Sequence, residues 1–204
     1  LYFINTRRIG AIPDKCSPVN ETLKGECNNS LIDSSDIDLA LRYTQKSQKN
    51  EFGFFSAFEA NSLYSSGRDY FAGRYRRNIS ELKGNVGYML TAVDRSSISR
   101  EAFVHTIDFD FKPSKPTRVY GWLSQSNIKN GPSDIDGTGA RIVVTRGFSD
   151  QLFVLGAFNY LDENFDINDM GYMEENNKIS LGGYLQYINP VKDQNSKISQ
   201  TILR

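Results

Sequence analysis

Apolar and polar residues alternate with a period of two through most of this chain, and no other feature constrains its fold as strongly. The clearest run is residues 103–112. Phe103, His105, Ile107, Phe109 and Phe111 fall on one side, and Val104, Thr106, Asp108, Asp110 and Lys112 on the other. Successive side chains of a β-strand point to opposite faces, so the pattern predicts a strand with one apolar and one mixed face. Similar runs occupy residues 36–43, 52–59, 70–78, 85–94, 118–126, 139–148, 151–161 and 178–189, and another begins at 197. No stretch shows the 3.6-residue period and end caps of a helix. Nothing alternates strand with helix, as a parallel sheet requires. The prediction is an all-β fold, an antiparallel up-and-down meander of about nine to ten strands.

The segments between runs carry turn chemistry. Residues 81–85, 112–116 and 148–151 read as short connections, and 61–68, 95–100, 127–138 and 162–177 as longer ones. Short and long broadly alternate, as in a meander with tight turns at one end and loops at the other. Residues 1–34 form a loop-rich segment, and 35–204 the strand meander.

The runs are ~9–12 residues long, which suits tilted strands crossing a bilayer better than the ~5–6 residues of an ordinary strand. Several aromatics sit near run ends, among them Tyr43, Phe71, Tyr75, Tyr120, Phe148, Tyr160 and Tyr187. These features favour a fragment of a transmembrane β-barrel. A soluble β-sandwich would give the same alternation and stays open as an alternative. Lys+Arg and Asp+Glu are both 24, so the chain has no net charge with which to seek nucleic acid. The chain opens on Leu1 and stops at Arg204 inside a predicted strand. It is therefore expected to be an internal piece, unable to close a barrel alone.

Chemistry-bearing residues are few. With one His and two Cys, a multi-histidine or four-cysteine metal site is impossible within the chain. A Ser-His-Asp triad would have to use His105, which alternation turns away from Asp108 and Asp110 toward an aromatic girdle. Trp122 is expected in a girdle as well. Asp162, Asp166, Asn168 and Asp169 lie in an acidic loop that could offer oxygens to calcium. Met170 and Asn177 break the EF-hand spacing, so the loop reads rather as a solvated or lumen-folded segment than as a metal site. Arg42, Arg74, Arg76, Arg118 and Arg141 can share one face as a basic lumen stripe that favours anions or acidic sugars. The same arginines can instead pair with Asp36, Asp38, Asp108 and Asp110 inside a plugged barrel. Paired carboxylates such as Asp108/Asp110 and Asp162/Glu163 keep a carbohydrate-active hydrolase in view. Gly137-Thr138-Gly139 lacks the lysine and following helix of a phosphate loop. Cys16 and Cys27 close a short loop and form a plausible disulfide in an oxidising compartment, worth ~2–3 kcal/mol by loop entropy. No catalytic residue and no cofactor is expected.

Five segments carry a resemblance. They are residues 5–10 (NTRRIG), residues 70–79 (YFAGRYRRNI) with 87–95 (GYMLTAVDR), residues 121–126 (GWLSQS) and residues 164–174 (NFDINDMGYME). In this order they resemble the outer-membrane barrel region of the bacterial domain-of-unknown-function 5916 family. The segment between Cys16 and Cys27 departs from it. The resemblance implies a bacterial outer-membrane location, contact with membrane lipid, and a role as pore, plugged channel or anchor. It also implies a carbohydrate partner, held by a family 9 type carbohydrate-binding module that usually precedes the barrel.

Overall fold

The computed structural model describes residues 2–14, 34–61, 66–149, 151–190 and 200–203. Ten strands form one antiparallel sheet in which each pairs with its neighbours in sequence. They are β1 (Ile37–Lys46), β2 (Asn50–Glu59), β3 (Asp69–Ile79), β4 (Gly84–Arg95) and β5 (Arg100–Ser114), followed by β6 (Thr117–Asn130), β7 (Ser133–Gly147), β8 (Leu152–Leu161), β9 (Lys178–Pro190) and β10 (Gln200–Leu203). The sheet is open: β1 and β10 are its two edges. The all-β antiparallel meander read from the alternation is therefore the observed fold. No helix among the described residues is long and apolar enough to cross a membrane, which says nothing about crossing by strands.

The connections correct one expectation. Residues 127–138 are not a long loop. β6 and β7 run on until Asn130 pairs with Ser133, leaving only residues 131–132 to turn. Gly131 takes φ +60°, which a side chain would strain. The segment reads as a loop because its strands are polar: Asn127 donates from its side-chain amide to Asp136 at 2.7 Å, and Lys129 faces Asp134. Nor do short and long connections alternate. Two long connections, 60–68 and 162–177, each follow an even-numbered strand and so lie at the same end, whereas 191–199 follows β9.

The two faces of the sheet differ. One is covered by residues 2–14 and 162–177. Ala57, Tyr70, Ala72 and Val93 of the sheet pack there around Met170, and Val104 packs with Phe165, Ile167 and Met173. Phe165 is fully buried, worth ~1.5–3 kcal/mol by area. Among the described residues nothing covers the other face, called the bare face below, and it carries the apolar side of the alternation. Ile107, Leu123, Phe158 and Leu181 are all exposed on it, Leu181 to 84%.

The bare apolar face is bounded by polar side chains, and its boundaries run obliquely. One boundary passes from Gln45 on β1 to Arg146 on β7. Residue pairing carries Gln45 through Phe52, Tyr75, Tyr88, Ile107 and Leu123 to Ala140. Arg146 thus lies six positions beyond Ala140 after six strand steps. The other boundary passes from Asp69 on β3 to Thr138 on β7. Pairing carries Asp69 through Asp94, Glu101 and Lys129 to Asp134, four positions from Thr138 after four steps. Each boundary advances one residue per strand. With ~3.4 Å rise per residue and ~4.8 Å between strands, the band crosses the strands at a tilt of about 35°. From Asp69 to Arg77 on β3, and from Thr138 to Arg146 on β7, it spans eight residues. That is about 27 Å along the strand and about 22 Å normal to the band.

Candidate functional site

The cover on the sheet is two segments joined edge to edge. Tyr2 and Tyr172 exchange backbone hydrogen bonds of 2.9 and 2.7 Å, and the Asn5 amide donates to the Met170 carbonyl at 2.7 Å. Arg8 donates through Nε to the Gly171 carbonyl at 2.8 Å. Short polar side chains shape the second segment. Asp162 accepts from the Asn164 amide, Asp166 from the Asn168 amide and Asn168 from the Met173 amide, at 2.8–2.9 Å. Side-chain turns of this kind order a loop that has no ladder of its own.

Three arginines clamp the cover to the sheet. Arg68 forms a fork on Glu59 (2.7 Å from Nε) and lies 3.5 Å from Asp14. Arg95 grips both oxygens of Asp14, at 2.7 and 2.6 Å, and reaches Asp169 at 2.6 Å. Arg100 spans Asp169 and Asp166, at 2.8 and 2.9 Å. Glu59 also accepts from the Gly10 amide at 2.9 Å. The Glu59 and Asp169 side chains are 1% and 3% exposed, so their charge is tolerable only because these partners are present. Burial pushes the Asp169 carboxyl upward, yet hydrogen bonds and charge from Arg100 and Arg95 outweigh it and hold the group below its ordinary range.

Sequence reading missed this clamp. Its residues are scattered from position 14 to position 169, and no local spacing marks them. The one usable signal is a parity: Arg95 and Arg100 fall on the mixed face at the ends of facing strands.

The acidic-loop residues are placed accordingly. Asp166 and Asp169 meet arginine, while Asp162 and Asn168 accept from loop amides. Among the described residues no group of three or more His, Cys, Asp or Glu is arranged to hold a metal ion. Arg42, Arg74, Arg76, Arg118 and Arg141 all lie on the covered face. Arg74 pairs with Asp108 at 2.8 Å, Arg76 with Glu51 at 2.5 Å and Arg118 with Asp110 at 2.5 Å. Both carboxylates of the Asp108/Asp110 pair are thus held by guanidinium groups. Among the described residues Arg42 and Arg141 have no ion pair.

His105 sits on the bare face, hydrogen-bonded through Nδ1 to the Tyr88 hydroxyl at 2.7 Å. Trp122 requires a correction. It is not on the bare face with the girdle aromatics but on the covered one. It stacks at 18° on Phe165, with centroids 6.3 Å apart, and meets Phe3 edge-on at 5.2 Å. Its parity, shared with Ser124 and Ser126, puts it inside, and the cover supplies the apolar surface that its indole ring needs. Tyr120 shares that parity and also faces inward. Cys16 and Cys27 lie outside the described residues, and so does their pairing.

Two glycines make room for the cover. A β-carbon on Gly137 would stand 2.2 Å from the Phe165 amide nitrogen, and one on Gly139 would stand 2.8 Å from the Phe165 ring. The Gly137-Thr138-Gly139 run is a docking groove for a loop.

Comparison with known proteins bears out the family to which the local resemblance points. No curated protein and no solved structure matches the chain. Residues 79–202, more than half of its length and including β4–β9, most of β10 and the covering loop 162–177, match the family model described as "Domain of unknown function (DUF5916)". The chain belongs to the DUF5916 family.

Proposed function

We propose that this chain is part of a bacterial outer-membrane β-barrel and is non-catalytic in itself. In this reading the bare face meets lipid, and the covered face is a lumen plugged by residues 2–14 and 162–177. The protein serves as a plugged channel or pore, or as an anchor for a carbohydrate-binding module carried elsewhere in the full-length protein. The observation that carries the reading is the oblique apolar band. Transmembrane barrels show strands tilted ~35–45° and an apolar belt ~25 Å tall, and the band has about these dimensions. Apolar side chains outside and paired charges inside are the inverse of a water-soluble domain. A soluble sandwich would need a second layer over the bare face, and none is present among the described residues. A closed barrel would require further strands to pair with β1 and β10.

The hydrolase alternative has less support. A glycosidase needs two carboxyl groups free to face a sugar. Asp108 and Asp110 are each held by an arginine.

The test is extraction of the full-length protein from its native cells. Retention in the outer-membrane fraction after alkaline carbonate washing, with release only by detergent, supports the proposal. A monodisperse, detergent-free protein in the wash would overturn it and favour the sandwich.

A further inference from the structure

On the covered face Arg74, Arg76 and Arg118 are each committed to a carboxylate, while Arg42 and Arg141 make neither an ion pair nor a side-chain hydrogen bond among the described residues. Arg141 lines a cavity of about 320 Å³ between the sheet and the cover. The floor is one row of cross-strand partners: Trp122 on β6, Arg141 on β7, Asn159 on β8 and Ser180 on β9. Asn159 donates to the Ser180 hydroxyl at 3.1 Å, which leaves its carbonyl oxygen and one amide hydrogen available. The rim carries Tyr2 and Tyr172, placed opposite each other by the bridge between the two cover segments and both exposed.

We infer that this cavity is a binding site for a carboxylated sugar. Arg141 supplies a bidentate partner for the carboxylate. Asn159 and Ser180 supply donors and acceptors for ring hydroxyls, and the tyrosine rings supply an apolar surface for the ring's carbon face. Neither nearby acid is paired with Arg141: Glu175 pairs with Lys178, and Glu174 accepts from the Tyr172 hydroxyl and keeps its charge. A neutral sugar would leave the guanidinium without its partner, so the site discriminates by charge. The inference does not rest on the membrane reading, because the cavity lies on the covered face whatever meets the other one.

The experiment is saturation-transfer NMR and calorimetry on the purified full-length protein in detergent. The probes are trigalacturonic acid, a glucuronate oligomer and a sialyl oligosaccharide, with methyl-esterified trigalacturonate as the neutral control. Saturable binding of at least one acid is expected, weakened about tenfold or more in the ester or in Arg141→Gln, where a charge-assisted pair is lost. Arg118→Gln, on the same face but committed to Asp110, should bind as the parent does. Failure of all three acids to bind overturns the inference. So does equal binding of acid and ester, or unchanged binding in an Arg141→Gln protein whose circular dichroism matches the parent.

Discussion

The backbone of Phe165 lies so close to Gly137 that a β-carbon there would stand 2.2 Å from the Phe165 amide nitrogen. The obstruction is main chain, not the movable end of a side chain, so no rotamer relieves it. Gly137→Ala should therefore push residues 162–177 off the sheet at a cost of about 1–3 kcal/mol. The strands need not be disturbed, since the groove is on one face only. Limited proteolysis should show faster cleavage within 162–177, with strand content by circular dichroism unchanged. Cleavage at the parent rate would show that the loop is not seated in the groove.

Asp169 makes attachment of the cover sensitive to acid. Its carboxyl is held below its ordinary value in the folded protein, so the unfolded state binds the proton more readily. The resulting stabilisation is fully present above the ordinary value of about 3.9 and is lost as pH falls through the lower folded value. Protease resistance of the cover should be flat from neutral pH down to about pH 5 and decline below about pH 4. Asp169→Asn should abolish most of that decline and weaken the cover by about 1–3 kcal/mol at neutral pH. Arg95 keeps Asp14 and Arg100 keeps Asp166, so the loss is smaller than for an isolated buried pair.

Ile107 and Asp108 are neighbours on opposite faces, exposed beside Leu123 and paired with Arg74 respectively. If the bare face meets lipid, Ile107→Arg should cost ~2–4 kcal/mol near the bilayer midplane. Single cysteines placed at 107 and 108, in a background lacking Cys16 and Cys27, give a direct readout. A lipid-restricted maleimide should label position 107 and spare 108. The reverse pattern would invert the assignment of faces.

Trp122 joins strand and cover through Phe165 and Phe3. Trp122→Ala should destabilise the cover by about 2–4 kcal/mol, somewhat less than truncation of a fully buried indole. Indole fluorescence should be insensitive to brominated lipid. Strong quenching would return Trp122 to the bare face.

Among the described residues no strand pairs with the outer edges of β1 and β10, which leaves their backbone groups open to another chain. The chain produced alone and refolded in water should aggregate through these edges and through the bare face, and detergent should suppress this. Sedimentation velocity distinguishes the outcomes, and a monodisperse monomer without detergent would contradict the expectation.

The alternation in the sequence determined the strands, their antiparallel order and the division of side chains between two faces. Residues 103–112 show why: strand geometry forces the period-two split locally, whatever the rest of the chain does. It placed Ile107 on the bare face and Arg74, Arg76 and Arg118 on the covered one. It misread 127–138 because a hairpin whose strands are polar has the composition of a loop. Only the tertiary structure decided what covers the inner face. The joining of residues 2–14 to residues 162–177, the Arg95–Asp14 and Arg100–Asp169 pairs and the packing of Trp122 on Phe165 link positions far apart in the chain. None has a local period or spacing. Charges and rings of this kind become partners only when the meander brings strand ends together, and there burial makes each depend on the other.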